Sequence, residues 1–267
     1  MAVIQFIAFM GQSNADNMFN LYGDNDSGAS VLATELSSYL GISGGVSAST
    51  LKTTIQGTGT LSKFATADNV VVQDFAKGAS GVDGNASDAP GSDFLWWYPD
   101  TNTPGALALA AIQGINASVA ALEAQGYTVE LKIVWAQGEA DAKRIMDGTS
   151  DVETYKEATV EVLDYIRAQT DPAAPVFIQE VADTAYTGSD ARWNGGQDIV
   201  REAQREIAAS RDDIYIGSIT DDLPLKDQVH TDNEILRSGW RPARQLHRLY
   251  GRVDRYHFRA ASFAGPG

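Results

Sequence analysis

The chain of 267 residues contains no cysteine. That excludes a disulfide framework, a thiolate-based zinc or iron–sulfur site and a cysteine nucleophile. Histidine is almost as scarce: His230, His247 and His257 are the only three, which leaves little for a histidine-rich metal centre. Basic residues are few, with 20 Lys and Arg against 35 Asp and Glu and a net charge of −15. A chain this acidic argues against nucleic acid or an anionic membrane surface as a partner, since both need a basic face. Long hydrophobic runs are missing too. Val3 to Met10 is a short apolar stretch with no basic segment before it and no small-residue cleavage site after it. It is too short to span a membrane and does not resemble a signal peptide. The sequence therefore predicts no membrane insertion and a product that is cytoplasmic as synthesised, unless it is released by lysis in a phage-like particle or leaves by another protein's route.

What is present suits a folded core: 43% of residues are hydrophobic and 21% charged. Val3 to Met10, ending at Gly11, reads as a buried strand. Apolar spacing through Val31, Leu32, Leu36 and Leu40 predicts a helix over 30–40. The Gly, Ser and Thr-rich stretch 41–68 reads as loop with a short hairpin. Further strands are predicted at 69–75, 128–135, 175–181 and 213–219. Between and after them come helices from Pro104 to about 125, at 151–169, at 195–210 and at 233–250. Strands that are near-continuous hydrophobic runs, alternating with helices, imply an α/β protein with a parallel sheet covered on both faces. No linker or repeat divides the chain, so one domain over 1–267 is expected, with 252–267 as a C-terminal tail.

Ligands of such sheets sit beyond the carboxyl ends of the strands. Four polar clusters fall there: Gly11-Gln12-Ser13-Asn14-Ala15-Asp16, Lys77-Gly78-Ala79-Ser80-Gly81, Ala136-Gln137-Gly138-Glu139-Ala140-Asp141 and Asp227-Gln228-Val229-His230. They contain the parts of a serine hydrolase. A serine hydroxyl needs an adjacent base, and an imidazole accepts and returns a proton near neutrality. That assigns Ser13 as nucleophile, His230 as base and Asp227, three residues earlier, as the carboxylate that orients the imidazole. Thr231 and Glu234 form a capping-box pair that would start the last helix directly after His230. The oxyanion hole is drawn from the Ser13 and Gly78 backbone N–H groups and the Gln137 side-chain amide.

At these residues the chain resembles the SGNH hydrolases. Gly11-Gln12-Ser13-Asn14, Trp135-Ala136-Gln137-Gly138-Glu139-Ala140-Asp141 and Asp227-x-x-His230 are most similar to the branch of sialate O-acetylesterases and acetylxylan esterases of carbohydrate esterase family 6. Val200-Arg201-Glu202-Ala203-Gln204-Arg205 resembles a helix segment recurrent in that branch. The resemblance spans roughly residues 3 to 250. It implies a flavodoxin-like three-layer α/β/α sandwich with five parallel strands in the order 2-1-3-4-5. It also implies a carbohydrate O-acetylesterase that forms an acyl-enzyme and needs no metal or organic cofactor. The second block departs from the usual Gly-Gly-Ser/Thr, which allows the Gly78 role to shift by a residue or more. Ala136 stands where His is frequent.

Several features admit plainer readings. Ser13 in its turn could be a helix N-cap. Glu139 and Asp141 suggest a glycosidase pair, but two residues apart in a loop they are expected to point in different directions and, with Gln12, to brace the neighbouring blocks. Gly41-Ile42-Ser43-Gly44-Gly45 fits Gly-x-Ser-x-Gly but follows a helix, not a strand. Trp96, Trp97 and Tyr98 are either core or a stacking wall for a sugar ring. Asn85-Ala86-Ser87 and Asn116-Ala117-Ser118 match a glycosylation pattern by accident of composition. His247 and His257 read as helix-surface and tail residues. Two rival functions remain open. One is a carbohydrate-binding or structural module of a phage-like particle or homo-oligomeric assembly. The other is a lipase or thioesterase, for which no apolar acyl stripe is visible.

Overall fold

A computed structural model describes residues 1–17, 19, 28–39, 45–59, 62–83, 95–182 and 191–218. In chain order its elements are β1 (Val3–Gly11), α1 (Ser13–Asn17), α2 (Gly28–Tyr39), α3 (Ala48–Gly57), β2 (Phe64–Ala67), β3 (Val70–Asp74), β4 (Trp97–Tyr98), β5 (Thr103–Pro104), α4 (Ala106–Glu123), β6 (Thr128–Ala136), α5 (Glu139–Met146), α6 (Val152–Gln169), β7 (Val176–Gln179), α7 (Ala191–Ala209) and β8 (Ile214–Ser218). The main sheet runs β2-β3-β1-β6-β7-β8. Its five parallel strands stand in the expected 2-1-3-4-5 order, and helices cover both faces in a three-layer α/β/α arrangement.

A sixth strand corrects the five-stranded expectation. β2 pairs antiparallel with β3 at the sheet edge through the tight turn at Asp68-Asn69. Asn69 takes a φ of +60°, which asparagine tolerates better than most side chains. Its buried amide oxygen accepts the Val46 N–H at 2.8 Å, pinning the chain where it enters α3. α3 itself is a second correction, since a Ser/Thr-rich stretch reads as loop. Ser47 caps it by accepting the Thr50 N–H, and Leu51 and Ile55, one turn apart, bury its inner face.

β1 alternates between the two cores. Ile4, Phe6, Ala8 and Met10 face the layer of α3, α4, α6 and α7, whereas Ile7 and Phe9 face α2. β1 therefore reads as a continuous apolar run because both of its faces are buried. α4 is long and apolar enough by composition to cross a membrane. Here Ala108, Ala111, Ile115 and Leu122 bury one stripe of it in the core. It starts at Ala106, with Gly105 as its cap, not at Pro104, which pairs in β5. Asp227, His230, Thr231, Glu234, His247, His257, the predicted 233–250 helix, the 252–267 tail and the Asn85 site lie outside the described residues, as does Gly41–Gly44 of the Gly-x-Ser-x-Gly stretch.

Candidate active site

Three of the four polar clusters meet at the carboxyl edge of the sheet. β1 ends at Gly11, whose φ of +133° is a conformation side chains rarely adopt. A Cβ there would lie 1.9 Å from the Ala136 carbonyl oxygen. β1 and β6 therefore close at this end only because residue 11 has no side chain. Gln12 continues the contact, its N–H donating to the Ala136 carbonyl at 3.0 Å. Ser13 then opens α1 directly on the strand end.

The plain reading of Ser13 as a cap is not what the geometry shows. A capping serine accepts a backbone N–H two or three residues on. The Asp16 N–H instead donates to the Gln12 carbonyl at 3.0 Å, and the half-buried Ser13 hydroxyl makes no hydrogen bond among the described residues. Across the gap to β3 stands Gly78, where an added Cβ would lie 3.9 Å from the Ser13 Cβ. The chain turns tightly there: Lys77 N–H donates to the Gly11 carbonyl at 3.0 Å and Ser80 N–H to the Lys77 carbonyl at 3.2 Å. Between those anchors, the Gly78 and Ala79 N–H groups make no hydrogen bond among the described residues. Ala79 holds a φ of +62°, a left-handed conformation that costs an L-residue roughly 1–2 kcal/mol. Two unused donors on a strained turn beside a serine are what an oxyanion site needs. Ala79 was not singled out by sequence; the allowance for a shifted second block is the only signal that pointed to it.

Gln137 is corrected. Its side chain is fully buried and its amide is taken by the protein. Nε2 lies 2.8 Å from the Ser80 carbonyl oxygen, 3.1 Å from Gln12 Oε1 and 3.1 Å from Asp141 Oδ2. Oε1 in turn accepts the Ser80 hydroxyl at 3.1 Å. Two amide hydrogens with three acceptors leave no donor for an oxyanion. Gln137 is instead the knot that ties the ends of β1, β3 and β6 into one rigid edge. Ser80, buried and also accepting the Trp96 indole N–H at 3.2 Å, completes the tie.

Gln12 and Glu139 also tie this edge. Gln12 Oε1 also accepts the Ala140 N–H at 3.2 Å, and Glu139 accepts from the buried Asn14 amide beside Ser13. Glu139 and Asp141 lie in the first turn of α5, not in a loop, with Gly138 (φ +139°) making the entry. Their carboxylates are taken by different partners, Glu139 by Asn14 and Asp141 by Val82 and Gln137, which commits both to holding the edge together. Behind them, Gln204 donates to the Gln137 carbonyl at 2.8 Å and accepts the Val181 N–H at 3.0 Å. The Val200–Arg205 segment thus locks α7 to the ends of β6 and β7, with Val200 and Ala203 in the core.

Asp141 Oδ1 accepts the Val82 N–H at 2.8 Å. Arg144 stands 4.0 Å away, ion-paired to Asp83, which also accepts the Ser150 hydroxyl. Burial pushes the Asp141 carboxyl up to about 7, the Asp83 charge adds to the rise, and the Gln137, Val82 and Arg144 partners oppose it. An acid whose pKa is higher in the folded state holds its proton there between about pH 4 and 7, where the unfolded chain has lost it. Its contribution to stability is full below that window and is lost as pH rises through 7. Thermal melting should therefore fall from pH 5 to pH 8, and less steeply in Asp141→Asn. Equal slopes in the two proteins would contradict a raised Asp141.

The aromatic wall is also corrected. Trp96 is fully buried, edge-on to Trp135 with ring centres 5.0 Å apart. Trp97 is 3% exposed and packs on Tyr165 of α6 at 5.7 Å. Both are core residues; only Tyr98 is partly exposed. Core tryptophans and sugar-stacking tryptophans look alike in a single sequence, which is why the loop position misled. Among the described residues no group of three or more His, Cys, Asp or Glu side chains could hold a metal ion.

No family model matches this chain, and no curated protein does. Among solved structures it is similar to a family two carbohydrate esterase from Clostridium thermocellum, seen in complex with cellohexaose and as an active-site mutant. The identity is 13% and the TM-score 0.46 for both, over 94% of this chain. The chain spans 65% and 66% of the length of those two structures, just under two thirds. A likeness that distant places neither residues nor an activity on this protein.

Proposed function

We propose that this protein is a serine esterase of the SGNH type that removes acetyl or other short acyl groups from a carbohydrate, nearest in kind to the sialate O-acetylesterase and carbohydrate esterase family 6 branch. The observation that carries the reading is Ser13: a serine on the end of the central strand, its hydroxyl uncommitted, set against a strained turn with two free N–H donors. A capping or core serine has its hydroxyl bonded.

In this mechanism Ser13 Oγ attacks the ester carbonyl while His230 removes its proton, with Asp227 holding the imidazole's tautomer. The Ser13 and Gly78 N–H groups, with Ala79, receive the oxyanion charge. The tetrahedral intermediate collapses, the sugar oxygen leaves with the proton from His230, and the acyl group stays on Ser13. Water activated by His230 then attacks the acyl-enzyme, releasing the carboxylic acid and restoring the serine. The steps use side chains, backbone N–H groups and water.

Acetate release from p-nitrophenyl acetate and from a panel of acetylated polysaccharides tests the reading. The protein should release acetate, and His230→Ala should lower turnover by at least roughly 10³-fold. No turnover on any ester, with glycan binding intact, would make it a recognition module. Unchanged turnover in His230→Ala would remove the base.

A further inference from the structure

Beside the Ser13–Gly78 gap lies a cleft of about 740 Å³ that none of the catalytic steps uses. Its rim begins at Asp16, one helical turn beyond Ser13, and at Lys77, directly before Gly78. Its volume falls within the ~300–1,000 Å³ of ordinary ligand sites. One wall is the α4 face of Leu107, Ala110, Ala111 and Gly114, and the floor is Phe75. Gly114 is there for the ring: a Cβ on it would lie 2.5 Å from Phe75 Cε1. A mid-helix glycine costs about 1 kcal/mol relative to alanine, and here it admits the Cε1 edge of the aromatic ring against the helix.

The opposite rim is polar and close to neutral. Asp16 is ion-paired to Lys63 at 2.6 Å and shares a hydrogen bond with Asp74. Asp74 accepts the Ala76 N–H at 2.9 Å. Its carboxyl is pushed up to about 7, chiefly by burial and then by the Asp16 charge, against the pull of Lys63. α4 and the end of α3 bring no charged side chain to the cleft. A lining that combines an apolar helix wall and an aromatic ring with carboxyl and ammonium groups suits a pyranose, which carries C–H groups on its faces and hydroxyls around its rim.

We infer that this cleft binds the sugar of the substrate, an uncharged pyranose unit, and so presents its ester to Ser13. The inference rests on the esterase reading, but binding can be measured without turnover. Ala110 is exposed on α4, so Ala110→Trp fills the cleft from outside the core; circular dichroism and a melting curve verify that the variant folds.

The experiment compares kcat/KM for a partly acetylated xylo-oligosaccharide with that for p-nitrophenyl acetate, in the unmodified protein and in Ala110→Trp. The ratio of sugar ester to small ester should fall at least tenfold in the variant. An unchanged ratio would overturn the cleft as the sugar site while leaving the esterase standing. Preference for an anionic acetylated pectin fragment over the neutral oligosaccharide would overturn the uncharged assignment. Should the unmodified protein hydrolyse neither ester, the esterase reading fails. Calorimetric titration with the same oligosaccharide then decides the cleft by itself: binding that Ala110→Trp weakens tenfold upholds it, and binding that is equal or absent refutes it.

Discussion

Gly11→Ala should destabilise the protein by roughly 3–5 kcal/mol, combining a strained φ with a backbone collision. The new methyl would meet the Ala136 carbonyl at 1.9 Å, and neither neighbour is a flexible side chain that can swing aside. Relief requires parting β1 from β6, which pair residue by residue from Val3–Thr128 to Gly11–Ala136. Against a total stability of about 5–15 kcal/mol, such a loss lowers the melting temperature on the order of 10 °C. The same parting separates the Ser13 turn from the Gln137 knot, so whatever protein folds should also be a poor catalyst. A melting curve within about 2 °C of the unmodified protein would show that the strand ends can separate at little cost.

Ser13→Ala should do the reverse: little change in stability, and a loss of ester turnover of roughly 10⁴–10⁶-fold, as when a nucleophile that works with a base is removed. The stability half follows from burial and bonding. Ser13 is only half-buried and its hydroxyl has no hydrogen bond among the described residues, so its removal orphans no partner. Substitutions of that kind shift stability by about 0.5 kcal/mol or less. The catalytic half follows from chemistry, because without Oγ there is no acyl-enzyme. The Gly78 and Ala79 donors would still polarise a bound ester and sustain a residual rate over water. Comparing steady-state rates and melting curves of the two proteins checks both halves.

The sheet was legible in the sequence because its strands are buried on both faces and announce themselves as apolar runs such as Val3–Met10 and Val70–Val72. The edge strand β2 was not, since Phe64-Ala-Thr-Ala is short and weakly apolar, and its place is set by the turn at Asn69. α3 was hidden for a related reason: Ser and Thr residues signal loops, and here a capping serine and two buried apolar side chains outweigh them. At the site, Ser13, Gly78, Gln12 and Glu139 could be placed from their position at strand ends. Gln137 could be placed but not oriented, because whether an amide faces a substrate or a neighbouring strand depends on Ser80 and Asp141. Trp96 and Trp97 failed on the same ground, as burial by Trp135 and Tyr165 is a tertiary fact. Ala79 gave no compositional sign, since its importance lies in a φ angle.

The proposed mechanism passes through an acyl-enzyme at Ser13. The most direct measurement is to treat the protein with a fluorophosphonate that mimics the tetrahedral intermediate and to map the adduct by peptide mass spectrometry. One phosphonyl group per chain, on the peptide carrying Gly11-Gln12-Ser13-Asn14 and absent from Ser13→Ala, is the predicted result. An unlabelled protein, or a label on any other serine, would contradict it.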